Sequence, residues 1–201
     1  MRLTKSQLHT PKGDLKILLL SPQLTPKTSY NFLAHCASGT YDNTNIVRDI
    51  PGFIIQFGDP TNTGKDGESI WGGLIPDEII NFDTTSDDSS TSGKSELRKQ
   101  GELLKFDKRG MVGMAKMKSG GNGSQFFITF DKLSQMDGKY TIFGQVVESE
   151  EERLSGTSTL SKLEAIITDK KGRVKSEKDK LGIKGVTIHA NPFAENLVRS
   201  K

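Results

Sequence analysis

The chain offers few groups able to make or break a covalent bond. Its three histidines, His9, His35 and His189, stand far apart with no cysteine or paired carboxylate at ligand spacing, so the sequence implies no metal and no cofactor. Residues 118–124 (KSGGNGS) are rich in glycine but lack the Gly-Lys-Ser/Thr ending of a phosphate cradle. No serine, histidine and aspartate form a hydrolase elbow. Cys36 is the only cysteine, which excludes an intramolecular disulfide and points to a reducing compartment. What remains are side chains that hold rather than attack, such as arginine guanidiniums, glutamine amides and aromatic rings, and their types alone single out none of them. Taken alone, Arg48 reads as a surface ion pair with Asp49 or Asp59, Phe53 and Phe127 as ordinary core, and Gln56 or Gln125 as a turn cap.

These residues need elements to position them, and the apolar pattern supplies candidates. Residues 15–20 read as a buried strand after a Pro-Lys-Gly turn. Thr25-Pro26 then gives an N-cap and a proline at the first helical position, and the helix runs to about Ala37 with Gly39 as its stop. Tyr30, Leu33, Ala34 and Ala37 recur at helical spacing and define its expected buried face. Short apolar segments at 53–57, 111–115, 126–130 and 141–147, separated by glycine turns, predict an antiparallel sheet closing into a barrel. A short helix is expected around 160–167 and a last strand at 186–189.

Composition bounds the rest. A chain of 201 residues is read as one domain, residues 1–190, followed by an Asn-Pro-Phe extension over 191–201. Hydrophobic residues are 33% and mean hydropathy is −0.49, which implies polar loops diluting a normal core. Two insertions fit that role: a Thr, Ser, Asp and Lys stretch at 83–101, expected to be exposed and mobile, and a charged stretch at about 148–184. A net charge of +3 is too mild for a dedicated nucleic-acid binder, and the basic run at 169–180 is interleaved with acids. The amino-terminal residues lack a secretion signal, and no apolar run is long enough to cross a bilayer. The expectation is a soluble, intracellular, monomeric domain requiring neither nucleic acid nor membrane.

Three stretches, residues 48–59 (RDIPGFIIQFGD), 123–127 (GSQFF) and 137–144 (DGKYTIFG), together resemble the cyclophilin family of peptidyl-prolyl isomerases. The resemblance implies an all-β fold with helices: an eight-stranded antiparallel closed β-barrel capped by two α-helices, with an outer groove for a proline-containing peptide. Rotation about an X-Pro bond is slow because amide resonance must be broken, at ~18–20 kcal/mol, and lowering that barrier needs no nucleophile. Arg48 matches the family's catalytic arginine, whose guanidinium donates to the prolyl nitrogen as that atom loses conjugation. Phe53 and Phe127 match the aromatics that sandwich the proline ring. Gln56 and Gln125 match the two amides that hold the substrate backbone and the arginine. Ile54 and Met136 line the groove, and Ala115 lies at its floor edge.

Several positions depart from the family's pattern. Gln135 stands where active members commonly carry a tryptophan, Tyr140 replaces a rim histidine, and Lys116 replaces an asparagine whose backbone holds the peptide. Phe57 replaces a glycine, and Val47 and Asp49 are unusual neighbours of the arginine. Each lost contact costs about 1–3 kcal/mol of transition-state stabilisation, so the expectation is weak or lost isomerase activity with binding retained. Gln135, the Lys108-Arg109-Gly110 stretch and Asn191-Pro192-Phe193 together resemble the spliceosome-associated branch of the family. That branch implies a role in pre-mRNA splicing, spliceosomal protein partners, and a nuclear location with some cytoplasmic presence. The alternative is a fully active isomerase assisting protein folding.

Overall fold

A computed structural model describes residues 4–20, 22–79 and 104–189; the stretch expected as an insertion at 83–101 and the extension at 191–201 lie outside the described residues. The chain opens with a hairpin, β1 (Lys5–Thr10) and β2 (Gly13–Leu19), and continues into α1 (Pro26–Ala37). Strands β3 (Thr44–Asn45), β4 (Arg48–Ile50), β5 (Ile54–Phe57), β6 (Met111–Lys116), β7 (Asn122–Thr129) and β8 (Ile142–Val147) follow. Three short helices, α2 (Glu150–Leu154), α3 (Thr159–Glu164) and α4 (Glu177–Lys180), precede β9 (Leu181–Ile183) and β10 (Gly185–Ile188).

Eight of these strands form one antiparallel sheet in the order β10-β1-β2-β8-β6-β7-β5-β4, curled into a barrel wall. Its two outer strands are brought together through a second ladder. Strand β3 runs just ahead of β4 and pairs with β9, which runs just ahead of β10.

Inside the wall, Leu8, Leu15, Ile17, Ile55, Phe57, Val112, Met114, Phe126, Ile128 and Phe143 form one buried cluster. They reach it because side chains alternate between the two faces of a strand, so every second residue of each segment points inward. Of the described α-helices, α1 and α3 cap this core, through Phe32, Leu33 and Cys36 and through Leu160 and Leu163. Helices α2 and α4 bury nothing. Half-buried Arg109 ties the α3 side to the barrel: its guanidinium pairs with Glu164 and Glu148 and donates to the Phe130 carbonyl at 3.0 Å.

Helix α1 has the expected bounds, and Gly39 follows its C-cap with a φ of +73°. Its buried face differs from the expectation. Leu33 is buried, but Tyr30 and Ala37 are exposed, and Phe32, His35 and Cys36 point inward with Thr28, Ser29 and Asn31. Asn31 enters this face because it is bonded there, whereas the buried Thr28 hydroxyl has no hydrogen-bond partner. The Asn31 amide donates to the Gly123 carbonyl at 2.8 Å and accepts from the Ile70 N–H at 2.8 Å.

Two departures from the family's pattern sit inside the wall. Phe57 is fully buried in the core, its ring lying where a Cβ on Gly182 would come within 2.9 Å, so the bulk of position 57 is absorbed by β9 and not by the groove. Asp49 is likewise fully buried, and neither carboxylate oxygen has a hydrogen-bond partner. Burial, and then the charge of Glu164, pushes its pKa from the ordinary 3.8 up to about 7. Below about pH 4 the carboxyl is protonated in both states; between about 4 and 7 the folded state keeps a proton that the unfolded chain releases, so stability falls as pH rises. Asp49→Asn removes that dependence. Urea midpoints from pH 4 to 8 are expected to show wild type losing up to about 1.4 kcal/mol per pH unit relative to the variant, with the variant more stable at pH 8. Parallel profiles contradict the assignment.

Candidate functional site

Strand register builds the site. Arg48 on β4 faces Gln56 on β5, Gln56 faces Phe127 on β7, and Phe127 faces Gly113 on β6. Directly opposed residues share a face with Cβ atoms about 5 Å apart, so the four positions form one row on the outer wall of the sheet. Gln125 precedes Phe127 by one alternation and joins the same face. The Gln56 amide donates to the Gln125 side-chain oxygen at 2.7 Å, and the Gln125 amide donates onward to the Asp66 carbonyl at 2.7 Å. Both glutamines are thereby oriented before any ligand arrives. The loop supplying Asp66 is itself organised by buried Asp59, whose carboxylate accepts from Thr61, Thr63 and the Gly64 N–H.

Beside this row lies a second apolar cluster, distinct from the core. It contains Ile54, Ala115, Phe127 and Met136 as buried members, with Phe53 and Tyr140 half-buried against them. The structure therefore brings together six of the residues proposed from sequence to line the groove. Phe127 is only 2% exposed and forms a floor, with Phe106 stacked on it at 5.6 Å and Tyr140 edge-on at 5.5 Å. Phe53, Met136 and Tyr140 surround that floor.

Sequence reasoning missed Phe106, Leu133 and Ile142, all members of this cluster, and Gly113 beneath it. The Phe106 N–H donates to the Asp137 carboxylate at 2.7 Å and its carbonyl accepts from the Leu133 N–H at 2.7 Å, which secures the turn carrying Gln135 and Met136. Gly113 has a packing reason: a Cβ there would lie 2.7 Å from the Phe127 ring and 2.9 Å from the Phe106 ring. An isolated glycine within an apolar strand is the signal that marks such a close approach.

The departures at the rim have definite environments. Lys116 leans away from the floor into an ion pair with Asp77 at 2.6 Å, with its ammonium 5.6 Å from the centre of the Tyr140 ring. Asp77 also accepts from the Asn122 amide at 3.0 Å. Gln135 is exposed on the 3-10 turn Ser134–Met136 and is not part of the apolar cluster. Arg48 is exposed and forms no ion pair among the described residues. Neither alternative partner is free to take it: Asp49 points into the barrel, and Asp59 is occupied by its own loop.

No side chain here is arranged as a nucleophile. An exposed guanidinium, two pre-oriented amides and an aromatic floor can hold an extended peptide and donate a hydrogen bond to it.

Comparison with known proteins gives this arrangement a context. The family described as "Cyclophilin type peptidyl-prolyl cis-trans isomerase/CLD" matches residues 5–187. A Mycosarcoma maydis protein named peptidyl-prolyl cis-trans isomerase-like 3 is 43% identical over 187 residues, spanning 93% of this chain and 94% of that protein. The Homo sapiens protein of the same name is 41% identical over 94% of this chain and 98% of its own length. A Cryptosporidium parvum cyclophilin type isomerase, crystallised in the presence of the dipeptide Ala-Pro, is 39% identical, with a TM-score of 0.71 over 93% of this chain and 99% of that one.

Gly113→Ala tests whether the row and the floor are one unit. Overpacking of the two rings is expected to cost about 1–3 kcal/mol in a urea melt and to weaken proline-peptide binding measured by titration. Unchanged binding in a folded variant contradicts the assignment of Phe127 as the floor.

Proposed function

The chain belongs to the family of cyclophilin-type peptidyl-prolyl cis-trans isomerases, and on that premise we propose that its outer groove binds proline-containing protein segments and isomerises them at an attenuated rate, as a nuclear component of the spliceosome. The observation that carries the reading is the row of Arg48, Gln56 and Phe127 on one face, with the Gln56 amide bonded to Gln125.

The mechanism follows from what each group can do. The floor at Phe127 takes the proline ring by apolar contact. The paired glutamines hold the peptide backbone on either side of the rotating bond. As the amide twists, its nitrogen becomes pyramidal and gains a lone pair, and the Arg48 guanidinium donates to it. That hydrogen bond exists only in the twisted state, so it lowers the barrier instead of merely tightening binding.

Attenuation is supported by the rim. The exposed amide of Gln135 supplies neither a flat wall nor an indole donor, Lys116 is engaged by Asp77, and Tyr140 fills space against Phe127. The splicing role and nuclear location, with some cytoplasmic presence, are supported by the resemblance carried by Gln135, residues 108–110 and residues 191–193, and by it alone. A fully active folding helper is the second reading, favoured by the intact row.

Exchange spectroscopy on a short Ala-Pro peptide separates them, because it reports binding and turnover together. Binding with slow exchange is expected. Gln135→Trp should raise turnover about tenfold, the equivalent of about 1.4 kcal/mol, while Arg48→Ala should abolish exchange and leave binding in place. Wild-type turnover matching a tryptophan-bearing cyclophilin refutes the attenuated reading. Failure of the full chain to co-purify with spliceosomal proteins from nuclear extract refutes the splicing one.

A further inference from the structure

The guanidinium of Arg48 has no partner among the described residues, yet its stem is held from outside the sheet. Residues 168–174 form a small hairpin, with a bridge between Thr168 and Val174. At its tip the Gly172 N–H donates to the Asp169 carbonyl, and the Asp169 N–H donates to the Arg173 carbonyl, both at 2.9 Å. The Asp169 carboxylate collects the Lys171 and Arg173 N–H groups at 2.8 and 2.9 Å, and the Arg173 guanidinium at 2.7 Å. The tip is therefore rigid without help from the rest of the molecule.

That tip is pressed against β4. The Gly172 carbonyl accepts from the Asp49 N–H at 2.8 Å, and Gly172 is buried. A Cβ at Gly172 would lie 2.6 Å from Cγ of Arg48, 2.8 Å from Cγ1 of Ile50 and 2.9 Å from the Asp49 carbonyl. The glycine backbone thus touches the aliphatic stem of the arginine, and no other residue type leaves room for both. Its φ of +76° is the left-handed value that glycine adopts without cost.

We propose that the 169–172 turn is the positioning element for Arg48, with Gly172 the residue whose missing side chain sets where the guanidinium points. The charged stretch after β8 then has a task in the groove, supplied from far along the chain. The consequence for turnover rests on Arg48 being the catalytic arginine; the packing role does not.

The test uses the full chain labelled with nitrogen-15. Three variants are compared: Gly172→Ala, Asp169→Ala, which loosens the turn without adding bulk, and Gly156→Ala. Gly156 has a φ of +69° and nothing within 4 Å of its Cβ position, so that variant carries backbone strain alone. In the first two, the Arg48 Nε–Hε resonance should shift and its heteronuclear NOE should fall. Exchange at saturating Ala-Pro peptide should drop about 10- to 100-fold while the peptide Kd changes less than about twofold, since a misplaced catalytic group costs rate and not docking. Gly156→Ala should leave the resonance and the rate unchanged despite a lowered melting temperature. An unchanged Arg48 resonance in both Gly172→Ala and Asp169→Ala overturns the proposal, as does an equal loss of rate and binding. Should Gly172→Ala not fold, Asp169→Ala decides. Should wild type show no exchange, the catalytic reading fails and the Arg48 resonance alone decides the packing role.

Discussion

Alternation of side chains across a paired strand is the constraint on which the rest of this molecule depends. Because each residue points to the face opposite its neighbour, a register that puts Ile55, Phe57, Phe126 and Ile128 inside the barrel must put Gln56, Gln125 and Phe127 outside. A slip of one residue would exchange the two sets, burying the amides and exposing the core, so core packing and the site are set by the same register. The apolar core thereby positions the polar groove, although the two share no surface.

The unusual residues of the chain divide between the core and the groove. Asp49 and Phe57 fall on inward positions and bear on stability and on how β9 closes against the barrel. Gln135, Lys116 and Tyr140 fall at the rim and bear on the peptide. Arg48 stands at the junction, between an inward carboxylate with no hydrogen-bond partner on its own strand and a glycine tip pressed against its stem. Its freedom from ion pairs among the described residues keeps the guanidinium available to a ligand, at the expense of relying on packing for its aim.

Much of this was legible from local pattern. The strands carrying Phe53 to Phe57 and Phe126 to Phe130 announce themselves by apolar residues between glycine turns, and Thr25-Pro26 marks the start of α1. The buried face of α1 was not legible, because alanine suits either environment and Asn31 is buried through bonds to residues distant in sequence. Strands β1, β3, β4 and β9 escaped for a related reason: they are short or carry polar residues, and only pairing makes them strands. The amide bridge between Gln56 and Gln125, the seat of Lys116 on Asp77, and the space reserved at Gly113 all join residues remote in sequence, so no local pattern encodes them.

The central claim is that the outer row beside Phe127 is where a prolyl ring sits, and intermolecular NOEs test it most directly. With an isotope-labelled chain and an unlabelled Ala-Pro peptide, the proline protons should show contacts to the Phe127 ring and to the methyl groups of Met136 and Ala115. Contacts confined to another face, such as the exposed Tyr30 and Trp71 stack across the molecule's surface, would contradict the account.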